Sequence, residues 1–169
     1  GEIFPLLDPD DSRALDIGIA LGRQPIFFQE GIMLNDTIDA IGLTRDTLIF
    51  EDIIDTRLSV LFGWSNLDRD NNIRDENAKL LGVFTETDLR FSTVALDAAY
   101  VITDDDTNIG GDGLYLGLSS VQRIRDYNIA GYINASIALD DESAGVKSGL
   151  LFFLEMSMEP PQTHDVVYL

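Results

Sequence analysis

Strict alternation of apolar with small or polar residues runs through most of this chain, and it restricts the fold more than any other feature. At residues 14–22, Leu15, Ile17, Ile19 and Leu21 share one parity, and Ala14, Asp16, Gly18, Ala20 and Gly22 the other. At 57–64, Leu58, Val60, Phe62 and Trp64 oppose Arg57, Ser59, Leu61 and Gly63. The pattern returns at 94–102 with Val94, Leu96, Ala98, Tyr100 and Ile102, and at 114–118 with three leucines. It returns again at 128–139 with Ile129, Ile133, Ile137 and Leu139, and at 146–158 with Leu150, Phe152, Leu154, Met156 and Met158. Side chains alternate across a strand, whereas a helix would scatter these residues around its circumference. Segments 37–45 and 78–86 are weaker strand candidates.

The connections have their own rhythm. A long polar stretch at 65–77 precedes one strand, and a tight turn near Thr87-Asp88 follows it. The long 103–112 segment comes next, then a shorter link at 122–127, then 140–145 and the Pro160-Pro161 turn. Links rich in Asp, Asn and Gly at this spacing predict an all-β, antiparallel up-and-down meander. We read eight strands and, at 166–169 (Val-Val-Tyr-Leu), the start of a ninth. Residues 1–169 read as one β domain, with no internal linker and no repeat beyond the meander. The first 13 residues lack a basic start followed by an apolar run, so they are not a signal peptide. With the strand that begins at 166–169, this leads us to expect a piece of a longer chain.

Alternation of this kind serves a soluble sandwich or a transmembrane barrel, and the non-apolar faces separate the two. A solvated sheet face normally carries long Lys, Glu, Thr and Arg side chains that protect its edges. Here those faces are rich in Gly, Ala, Ser, Asn and Asp, and the whole chain has only Lys79 and Lys147 as lysines. Small polar residues leave space, as a water-filled lumen requires. Trp64 and Tyr100 fall toward strand ends, where interfacial aromatics belong. In lipid all strand N–H and C=O groups must pair, so the sheet has to close. Eight strands close around an interior that side chains alone fill. The inward residues here are too small for that, which points to a wider barrel in which this chain supplies part of the wall.

Composition removes several function classes. There are 11 basic and 30 acidic residues, a net charge of −19, so the chain lacks the clustered cations that phosphate backbones need. It has no Cys and one His, which excludes disulfides, thiolate sites and multi-His metal centres. The longest run of large apolar residues is 150–154, far short of the ~20 that a membrane helix needs.

Leu21-Gly22-Arg23-Gln24-Pro25, then Gly31 and 35–43 (Asn-Asp-Thr-Ile-Asp-Ala-Ile-Gly-Leu), resemble alginate-export-type bacterial outer-membrane porins. The 145–169 stretch, with Glu155, Pro160-Pro161 and His164-Asp165, is similar to a late hairpin of such proteins. The resemblance covers about 14–45 and 126–169. It implies a large monomeric barrel with a polar pore, contact with the bilayer and lipopolysaccharide, and passive movement of small polar or anionic solutes. The chain is shorter than such a barrel and poorer in Arg than a pore for a polyanion.

Parity puts Arg57, Asp97, Asn134 and Glu155 on the lumen side, where fixed charges and dipoles tune selectivity. The motif also nominates Arg23. Its parity matches Leu21, so it faces lipid unless it lies past the membrane edge or after a bulge. Asp104, Asp106, Asn108 and Asp112 offer oxygens at spacings that resemble a Ca²⁺ loop, although Ile109 and Tyr115 replace the Gly and Glu such loops need. A solvated acidic surface loop is the preferred reading of these residues. No Ser sits in a nucleophile context that could use His164, so no catalytic residue is assigned. No cofactor is implied beyond that Ca²⁺ loop. The expectation is a porin-like wall in the bacterial outer membrane, completed by other barrel segments of the same parent chain. The alternative is a soluble extracellular β-sandwich that binds calcium or carbohydrate through acidic loops.

Overall fold

The computed structural model describes residues 17–32, 34–46, 54–65, 67–68, 74–103, 111–140 and 146–158. The alternating segments form β1 (Ile17–Phe28), β2 (Leu34–Arg45), β3 (Asp55–Trp64), β6 (Lys79–Asp88), β7 (Ser92–Ile102), β8 (Gly113–Ile124), β9 (Tyr127–Ala138) and β10 (Gly149–Met158). The two-residue strands β4 (Leu67–Asp68) and β5 (Arg74–Asp75) pair with each other between β3 and β6. The eight long strands make one sheet in the order β1-β2-β3-β6-β7-β8-β9-β10, every pair antiparallel. This is the expected meander. Its strands are ten to twelve residues long, close to the ~9–11 that cross a bilayer at a tilt. Among the described residues no pairing joins β1 to β10, so both edges are open. The expected ninth strand at 166–169 lies outside the described residues.

Register sorts every side chain to one of two faces. Ile41 opposes Phe62, Phe62 opposes Leu81, and Leu81 opposes Tyr100. Leu96, Leu118, Ile133 and Phe152 form a second such row. These rows lie on a bare surface. Phe62 is 44% exposed, Ile133 41% and Leu154 74%. Leu58, Phe62, Ile133 and Phe152 therefore do not pack against a second layer, as a sandwich core would require. Within the eight strands this outward parity carries charge only at Arg23, Asp39, Lys79 and Arg45. Arg23, Asp39, Trp64 and Lys79 stand in one cross-strand row. Arg45 is at the opposite margin, and the strand rises about 20 Å between Asp39 and Arg45.

The other face is concave, and it is filled from within. The β1–β2 hairpin extends past the end of β3 and folds over the sheet. Ile26 and Ile38 then pack with Ala40, Leu67, Ala78, Leu80, Ala99 and Val101 as the buried core. The hairpin turns at Gln29–Ile32, where Ile32 N–H donates to the Gln29 carbonyl at 3.0 Å. Gln29, Glu30 and Gly31 all have positive φ, the left-handed conformation that reverses the chain tightly here. The small inward residues make this insertion possible. A Cβ on Gly63 would overlap Ile38 Cδ1, and one on Gly117 would lie 2.7 Å from Gln29 Cγ. Gly63→Ala should therefore destabilise the fold by about 1–3 kcal/mol through overpacking. A urea titration in detergent, followed by Trp64 fluorescence, checks this: the midpoint should fall, and an unchanged midpoint contradicts the packing.

Candidate functional site

The concave face divides at mid-depth. Toward Leu67, Ala78 and Val101 it is the dry core. Toward the 89–91 and 125–126 turns it opens into a cleft of about 380 Å³. Phe28, Gln29 and Glu30 of the hairpin cover one side of the cleft. Arg57 and Ser59 of β3, Phe84 and Glu86 of β6, Asp97 of β7, Ser119 of β8 and Tyr132 of β9 line the rest.

Two contacts hold the hairpin tip at this boundary. Phe28 stacks on Phe84 with ring centroids 3.5 Å apart and planes within 10°. Gln29 Nε2 donates to Asp97 Oδ2 at 2.5 Å, a bond that spans 68 residues of sequence. Gln29, Asp97, Ser119 and Asn134 are all at least nine-tenths buried. Hydrogen bonds to a carboxylate are the strong ones, so this contact fixes the tip in position as well as direction. Gln29 Oε1 and both polar side-chain atoms of Asn134 have no partner among the described residues. Gly117 leaves the space in which the Gln29 and Asn134 side chains meet.

The expected site residues separate into groups. Arg57 and Asp97 line the cleft together. Arg57 Nε donates to Asp46 Oδ1 at 2.5 Å in an ion pair at the margin, so its charge is offset there. Asn134 lies beside Gln29, behind the cleft wall. Glu155 shares the concave parity on the exposed edge strand β10, opposite Ala130, and stands outside the cleft lining. Arg23 is on the other face. The β1–β2 ladder runs through it with no extra residue, opposite Asp39, so the bulge that would have turned it inward is absent. Gln29, Phe28, Phe84, Glu86, Ser119 and Tyr132 are cleft residues that the motif reading did not single out. Parity alone would have nominated Phe84, Glu86, Ser119 and Tyr132.

Of the acidic-loop residues, Asp104, Asp106 and Asn108 lie outside the described residues, as does His164. Asp112 is described, and its carboxylate works as a clip. Its Oδ2 accepts from Tyr100 OH and its Oδ1 from Thr103 N–H, both at 3.0 Å. Its own N–H donates to Asp140 Oδ2 at 2.8 Å, which ties the 103–112 loop to the end of β9. Among the described residues no group of three or more His, Cys, Asp or Glu is arranged to hold a metal ion.

No protein-family model, curated protein or solved structure matches this chain.

Gln29→Ala removes one of the donors to the buried Asp97 carboxylate, leaving the Thr85 backbone N–H, a loss of about 1–3 kcal/mol. The tip should then open. Limited proteolysis should cut at 29–33 faster than in the parent, and an unchanged rate contradicts the role given to this bond.

Proposed function

We propose that this chain forms part of the wall of a bacterial outer-membrane β-barrel, porin-like, that passes small polar solutes through an enclosed polar space. One observation carries the reading: a broad outward face that is bare, apolar and free of charge between its two margins, on a sheet whose other strand charges face inward. Water stabilises the reverse arrangement, whereas a charge facing lipid at mid-depth costs about 2–4 kcal/mol. Trp64 in the same row as Arg23, Asp39 and Lys79 suits the level of the headgroups, where amphipathic rings and long cations settle. Lipid and lipopolysaccharide are then the partners of the outward face. The open edges at β1 and β10 suit further strands of the same barrel.

The inserted hairpin supports a wall wider than eight strands. An eight-stranded barrel has room inside for side chains only, and this concave face also holds the backbone of a hairpin tip. The tip narrows the space at mid-depth, so the solutes are small. Asp55, Glu86, Asp88, Asp97 and Glu155 outnumber Arg57 and Arg123 on the inward parity of β3 to β10, which favours neutral or positive solutes over anions.

Fractionation of cells that express the chain tests the reading. The protein should stay with the outer membrane and require detergent for release. Leu118→Arg, on the outward face, should sharply reduce the membrane-inserted fraction, whereas Ala95→Arg on the concave side should be tolerated. Recovery of stable monomer from the aqueous phase without detergent would overturn the reading.

A further inference from the structure

We infer that the cleft under the hairpin tip is a binding site for a small organic cation, an alkylammonium or guanidinium of a few carbons. The inference rests on the barrel reading only in taking the concave face as the enclosed one. Its volume of about 380 Å³ lies within the range of small-molecule sites. Its charges are unbalanced. Asp97, Glu86 and Glu30 present three carboxylates to it, against the single guanidinium of Arg57, whose Nε is engaged by Asp46. Gln29, which is 6% exposed, donates to Asp97 from the cleft wall, and its own carbonyl oxygen is buried without a partner among the described residues. Carboxylates in surplus call for a ligand that brings donors and positive charge. The remaining wall is aromatic. The Phe28 and Phe84 rings and Tyr132 flank these carboxylates, and ring faces attract a desolvated cation and its alkyl groups. An anion of the same size would meet the carboxylates, and a neutral alcohol would gain only hydrogen bonds.

Binding in detergent solution tests this, because the readout does not require that the protein conduct. Calorimetric titration of the detergent-solubilised full chain should use propylammonium, propionate and propanol as probes. We expect propylammonium to bind and the other two to bind at least about tenfold more weakly, the weight of carboxylates at contact distance. Glu86→Gln, on the exposed rim of the cleft, and Asp97→Asn, which keeps an acceptor for Gln29, should each weaken propylammonium by about tenfold. Near-ultraviolet circular dichroism of both variants should match the parent. Equal or tighter binding of propionate or propanol overturns the inference, as does no binding of propylammonium, or unchanged affinity in both folded variants. Membrane fractionation is a separate measurement, so a cleft that fails to bind leaves the barrel wall standing, and a soluble protein that binds the cation leaves the site standing.

Discussion

A slip of one residue between any two neighbouring strands would carry leucine, isoleucine and phenylalanine side chains to the concave face and Glu86 or Asp97 to the outward one. Register is therefore the constraint on which the rest of this structure depends. It holds over eight strands because the outward rows between the two margins are apolar across the sheet, as Ile41, Phe62 and Leu81 are, whereas the inward rows mix small and polar residues with a few large ones such as Leu80, Phe84 and Val101. The usual reward for such segregation is a buried apolar layer. Here the layer is bare, and the polar face is the sheltered one. That inversion is the ground of the proposed barrel, because a hydrocarbon environment would remove the cost of the outward face and raise the cost of every misplaced charge.

The interior depends on the hairpin tip. Ile26, Ile38 and Phe28 supply the bulk that the inward residues of the other strands lack, and Gly63 and Gly117 are the gaps they and Gln29 fill. The tip is anchored at its most distant point by one charged hydrogen bond, Gln29 to Asp97, and one ring stack, Phe28 on Phe84. The same two contacts set the boundary between a dry core and an acidic, aromatic cleft. Packing and the charge of the cleft therefore share a residue: Asp97 both holds the tip and lines the space beside it.

Much of this was legible in the sequence. Segments such as 94–102 and 128–139 alternate without interruption, and a solvent-independent rule of pleated geometry turns that into strands. The number and order of the strands followed. The length of β1 did not. Gly22 and Pro25 are turn signals, yet the strand continues to Phe28. Proline is tolerated there because β1 is an edge strand, with a free side where a missing N–H costs nothing. The inserted hairpin was also illegible. Glycines at 63 and 117 reveal that space exists on a face but not what occupies it, and the residue that reaches Asp97 is 68 positions away. Alternation puts Arg57, Asp97 and Asn134 on one parity, and the register keeps them on one face, while Gln29 carries no local pattern that marks it.

The central claim is that alternate residues of one sheet face two different media. Site-directed spin labelling measures that directly, and the absence of native cysteine allows one label at a time. Labels at Val60, Leu118 and Phe152 should be accessible to oxygen and shielded from a water-soluble nickel complex in lipid vesicles. Labels at Ser59, Ser119 and Phe153 should show weaker access to oxygen, with a period of two along each strand. Equal access to the nickel complex at both sets, or an outward set shielded from both reagents, would contradict the account.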